Sequence, residues 1–141
     1  MTCLDPRCVP ENYFQTQSSL SLGAIRNAGG RATADAIRSI VALRTLADIR
    51  VVFVVHHTDC GMTHMTDEEI VNDANQRTPG ATKEIDALAK AKEGFGSFKA
   101  AEFEETIRKD VSTLREQKVL EGVEIRGLGF DLEDGVVRII E

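Results

Sequence analysis

A chain of 141 residues is the size of one domain, spanning 1–141, and on folding it buries roughly two-thirds of its unfolded surface, enough for a hydrophobic core. With 42% hydrophobic and 28% charged residues it reads as an ordinary soluble globular protein, while a net charge of −6 argues against nucleic acid or anionic membrane as partners. No apolar stretch approaches a membrane span, three cysteines cannot close into a full disulfide set, and the N-terminus has neither an apolar signal core nor an Arg/Ser-rich transit segment, so a cytoplasmic location is expected.

In chain order, Leu20–Arg26 reads as a short strand running into Asn27-Ala28-Gly29-Gly30, a loop whose glycines admit backbone shapes closed to other residues. Thr33–Leu46 is predicted helical, because Ala34, Ile37, Ile40 and Val41 recur at helical spacing and Thr33 and Asp35 offer polar groups at its start. Val51-Val52-Phe53-Val54-Val55 is a continuous β-branched run, the mark of a strand buried on both faces of a parallel sheet, with His57 just beyond it. Thr66–Asn75, opened by a capping sequence, and Ala81–Lys92 read as helices separated by Pro79-Gly80. After the Gly94–Ser97 break, Phe98–Lys118 reads as an amphipathic helix with Phe103, Ile107, Val111 and Leu114 on one face. Val123–Phe130 and Val136–Ile140 are strands joined through Glu133-Asp134-Gly135, a hairpin turn. The pattern indicates an α/β fold with a mainly parallel sheet flanked by helices.

Two segments carry chemistry. Cys3, His57 and Cys60 are zinc-ligand types, and three protein ligands rather than four is the count of a catalytic site that keeps a position open. The bland alternative is two small buried thiols and a satisfied histidine. Asp5 and Arg7 sharpen the zinc reading: a carboxylate beside the metal can accept a hydrogen bond from metal-bound water and so fix where the oxygen lone pairs point, and an arginine fork keeps that carboxylate ionised and oriented. Ligands in open α/β sheets bind beyond the carboxyl ends of strands, which is where His57 and Cys60 fall. His56 is expected to face away from the metal, because neighbours in an extended chain point to opposite sides. Cys8 reads as core or loop filler, and His64 as either a proton relay or a solvated loop histidine.

Cys-x-Asp-x-Arg together with Arg26-Asn27-Ala28-Gly29-Gly30 and His56-His57-Thr58-Asp59-Cys60-Gly61-Met62 resembles the β-class carbonic anhydrases, in particular small microbial and fungal members. The likeness runs from Cys3 to about Asp67 and returns at Arg126–Asp131. Only Met1 and Thr2 precede Cys3, so the helix and strand that come before the first cysteine in that family are either truncated or absent here. The resemblance implies one zinc per chain on Cys3, His57 and Cys60, with Asp5 orienting a metal-bound hydroxide and Arg7 holding Asp5. It implies reversible hydration of carbon dioxide to bicarbonate by a homodimer or a dimer of dimers, with Arg26 and Asn27 shaping the site wall and subunit contact. Carbonyl sulfide or carbon disulfide hydrolysis on the same scaffold is one alternative, and a non-catalytic zinc protein is another. Some family members close the site with the aspartate itself, and the sequence leaves open which form applies.

Overall fold

The β-branched run at Val51 becomes the middle of a five-stranded sheet in the computed structural model, which describes residues 1–14, 23–92 and 94–141. The strands are β1 (Thr2–Cys3), β2 (Arg26–Asn27), β3 (Val51–His57), β4 (Glu124–Phe130) and β5 (Val137–Ile140), in the order β2-β1-β3-β4-β5. All neighbours run parallel except β5, which returns antiparallel to β4 through the expected turn, where Gly135 has φ 70°. Alternation along β3 sends Val52, Val54 and His56 to one face and Phe53, Val55 and His57 to the other. The first face packs with Ile40, Ile107, Val111, Leu114 and Ile125; the second belongs to a cluster of Cys8, Val55, Leu128 and Phe130.

The described residues form five helices, α1 (Pro10–Tyr13), α2 (Ala34–Ala47), α3 (Asp67–Arg77), α4 (Thr82–Ala89) and α5 (Phe103–Arg115), of which α2 and α5 supply Ile40, Ile107, Val111 and Leu114 to the first face of the sheet. Thr33 caps α2 by accepting the Ala36 amide at 3.2 Å, and Thr66 with Glu69 closes a reciprocal capping box on α3. The apolar stripe of α5 is buried at Ile107, Val111 and Leu114, as its spacing predicts. Gly127 lets α5 approach β4: a Cβ there would meet Ile107 Cγ2 at 2.6 Å.

Several boundaries differ from the sequence reading. The last predicted helix begins at Phe103 rather than Phe98, because the chain before it is committed elsewhere. Asp67 accepts the amides of Phe95 and Ser97, and the Phe98 amide donates to the Met62 carbonyl. Of the strand predicted at Leu20–Arg26, the described residues contribute Arg26, in a strand that runs to Asn27 because its partner β1 is two residues long and pairs Thr2↔Arg26 and Cys3↔Asn27; residues 20–22 lie outside those described. β3 runs on to include both histidines, and Val51 at its start is 37% exposed rather than buried. The strand ahead of Asp5 is present as the two-residue β1, paired between β2 and β3.

Candidate metal centre

Parallel pairing of β1 with β3 brings Cys3 and His57 together at the carboxyl ends of adjacent strands, and Cys60 follows in the turn after β3. Gly30 makes this approach possible. Its φ is +70°, and a Cβ would lie 3.0 Å from the Cys3 nitrogen and 3.1 Å from the Val55 carbonyl oxygen, so the Gly29-Gly30 turn sits directly on the ligand-bearing strands.

The three side chains are buried, and their ligand atoms all lie within 4.8 Å of one another. Two details fit zinc. The sulfurs of Cys3 and Cys60 are 3.8 Å apart, and two Zn–S bonds of about 2.3 Å at a tetrahedral angle span roughly 3.8 Å. His57 Nδ1 lies 2.8 Å from the Thr58 carbonyl, which fixes the proton on that nitrogen and turns Nε2 inward. Nε2 is buried and hydrogen-bonds to nothing among the described residues, an orphaned ring nitrogen of the kind a metal satisfies once it gives up its proton.

Ionisation in the metal-free cluster is uneven. A hydrogen bond from Cys60 holds the Cys3 thiol down at about 4, against the opposing effect of burial and with help from His57 and the amides of Asp5 and Gly29. The same contact with Cys3, and burial, push the Cys60 thiol up. Burial alone would lower His57, but the sulfurs of Cys3 and Cys8 beside its ring outweigh it and raise the imidazole to about 10. The contact between Cys8 and His57 is new relative to the sequence reading, which gave Cys8 no place near the metal. A residue five positions past Cys3 carries no periodic signal that could have placed it.

Asp5 and Arg7 meet as expected. Arg7 donates from Nε and its backbone amide to Oδ1, at 3.0 and 2.9 Å, and from Nη2 to Oδ2 at 2.7 Å. These hydrogen bonds hold the Asp5 carboxyl at about 2 despite partial burial, so it stays ionised at any working pH. Its Oδ2 is 3.9 Å from His57 Nε2, beside the space the three ligands surround. Arg26 donates to the carbonyls of Cys3, Leu4 and Asp5, fastening the loop that carries the pair, and Asn27 bonds the backbone of Arg31.

Asp59 was not singled out in the sequence. It accepts from Arg7 Nη1 at 2.9 Å and lies 3.0 Å from His64 Nε2. The hydrogen-bonded route from Asp5 to His64 therefore passes through a guanidinium that keeps its protons, which removes this chain of contacts as a proton path. His56 turns to the opposite face of the sheet, as the alternation requires.

A family model described as carbonic anhydrase matches residues 1–137. The chain is 40% identical over 70 residues to the carbon disulfide hydrolase of Acidianus sp. (strain A1-3), a stretch covering 50% of this chain and 34% of that protein. It is 47% identical over 45 residues to β-carbonic anhydrase 1 of Mycobacterium tuberculosis, covering 32% of this chain and 28% of the other. The matched stretches thus span about a third or less of these curated relatives. Among solved structures, a carbonic anhydrase from Glaciozyma antarctica superposes with a TM-score of 0.80 at 31% identity, over 99% of this chain and 79% of that one.

Proposed function

Because the chain belongs to the β-carbonic anhydrase family, we propose that it is a zinc enzyme catalysing the reversible hydration of carbon dioxide to bicarbonate. The observation that carries this reading is the Asp5–Arg7 fork set beside the three-ligand cluster, since a purely structural metal site has no use for an oriented carboxylate. Zinc on Cys3, His57 and Cys60 would supply the Lewis acidity that makes water a nucleophile near neutral pH. Asp5 Oδ2 then offers an ionised acceptor for the proton of the attacking oxygen and fixes where its lone pairs point. Arg7 holds that carboxylate in place with three hydrogen bonds and is itself held by Asp59.

A second reading, hydrolysis of carbonyl sulfide or carbon disulfide, is favoured by the 40% identity to a carbon disulfide hydrolase. These are linear heterocumulenes like carbon dioxide, open to the same attack. The two readings separate in one experiment on zinc-loaded protein: stopped-flow hydration of carbon dioxide beside hydrogen sulfide release from each sulfur compound. Carbon dioxide is expected to be the faster substrate. Faster sulfide release would transfer the assignment to the hydrolase, and no turnover with any of the three would leave a non-catalytic zinc protein.

We further propose that the chain works as a homodimer or an assembly of dimers. Leu4, between a ligand and the acceptor carboxylate, is 60% exposed, and β5 is an edge strand carrying Ile139 at 63%. Apolar surface beside a site and along a sheet edge is what a second copy covers. Light scattering should give a mass at least twice the 15.5 kDa of one chain. An active particle of single-chain mass would contradict this.

A further inference from the structure

Asp110 on α5 sits on the face of the sheet opposite the metal cluster, yet its contacts lead to two of the three ligands. Its carboxylate takes Arg31 Nε at 2.7 Å and Nη2 at 3.3 Å, and His56 Nε2 lies 3.1 Å from the same oxygen that accepts Nε. Arg31 also donates to the Gly96 carbonyl at 3.2 Å, and the Phe98 ring packs against both Arg31 and His56. The Arg31 and Asp110 side chains are 10% and 5% exposed, and that of His56 is 1% exposed.

Burying an ion pair costs desolvation, and apolar replacements of equal volume are often as stable or more so. An apolar pair cannot fix an orientation, however. What this pair orients is the segment leading back to Cys3. The Arg31 backbone is zipped to Asn27 by reciprocal hydrogen bonds of 2.7 and 2.8 Å. The residue just before it is Gly30, where a Cβ would lie 3.0 Å from the Cys3 nitrogen and 3.1 Å from the Val55 carbonyl oxygen, so this turn rests directly on the Cys3 and Val55 backbone. On the other side, His56 is the residue immediately before His57.

We propose that Asp110 is a positioning residue for the metal ligands: through Arg31 it holds the Gly29-Gly30 turn against the Cys3 backbone, and through His56 it sets the end of β3 that presents His57. This rests on the reading of Cys3, His57 and Cys60 as a zinc site. Residues that orient ligands from outside are worth about 10- to 100-fold in metal affinity.

The test compares wild type, Asp110→Asn and the apolar double variant Asp110→Leu with Arg31→Met. Zinc affinity is read by chelator competition, thermal stability by melting, and ligand geometry by the sulfur-to-metal charge-transfer absorption of the cobalt(II)-substituted proteins. Asp110→Asn should bind zinc about 10- to 100-fold more weakly, with a shifted charge-transfer band. The double variant should melt at or above the wild-type temperature and still show weakened binding and the shifted band, which a merely structural ion pair would not produce. Wild-type affinity and spectrum in both variants would overturn the proposal, as would a double variant that regains both along with stability. Should Asp110→Asn fail to fold, the double variant decides by itself. Wild-type protein that takes up neither zinc nor cobalt overturns the site reading and the proposal with it, whereas a wild type that binds and variants that match it overturn the proposal alone.

Discussion

Asp5→Asn is expected to keep its zinc and lose about 100-fold or more in turnover, the scale for removing an orienting or proton-accepting group. Among the described residues, Arg7 makes every hydrogen bond to the Asp5 carboxylate: Oδ1 accepts two and Oδ2 one. An asparagine must place its amide nitrogen against one of those donors, so the fork is broken in either orientation of the side chain. Arg7→Ala should produce a loss of similar size by another route. There the carboxylate remains ionised near neutral pH but is no longer held beside the ligands. Cys60→Ala provides the contrast, because it removes a ligand and should lose most of the metal. Elemental analysis beside a hydration assay separates the two classes, with about one zinc per chain expected in wild type and Asp5→Asn. Near wild-type turnover in Asp5→Asn would sink the mechanism, and full zinc occupancy in Cys60→Ala would sink the ligand assignment.

Zinc affinity is expected to fall about 100-fold for each pH unit of acidification around neutrality, the slope of two displaced protons. The sign follows from the metal-free cluster. Cys3, held at about 4, is already a thiolate at pH 7 and has no proton to give. His57, raised to about 10, is an imidazolium there, and Cys60, pushed up, is a thiol. Zinc needs the neutral imidazole and both thiolates, so His57 and Cys60 each release a proton and protonation competes with the metal. Chelator competition between pH 6.5 and 8.5, roughly the window in which those states hold, measures the slope. Calorimetry in two buffers of different ionisation enthalpy counts the protons directly. A pH-independent affinity, or release of no proton, would show that the cluster is not ionised in this way.

The cluster could be read from the chain because its chemistry is local. Cys3 with Asp5 and Arg7, and His57 with Cys60, are short spacings that a turn or strand end delivers whatever surrounds them. The strand at Val51 and the helices starting after Thr33 and Thr66 were legible for a similar reason: β-branched runs and capping residues act within a few positions. Alternation alone turned His56 away from His57, and the contact with Asp110 agrees with it.

Contacts between distant positions depended on the tertiary structure. Asp110 meets Arg31 across 79 residues, and Asp59 meets Arg7 across 52, and neither carboxylate differs in sequence from the solvated ones around it. A two-residue β1 has no hydrophobic period to detect; it exists because Thr2 and Cys3 find partners on both sides in β2 and β3. Cys8 reached His57 only when the chain turned back over the second face of the sheet. The residue types and their short spacings therefore determined which atoms could hold a metal. Strand pairing and the packing of α5 decided how those atoms are oriented, because orientation is set by partners that are close in space and far apart in the chain.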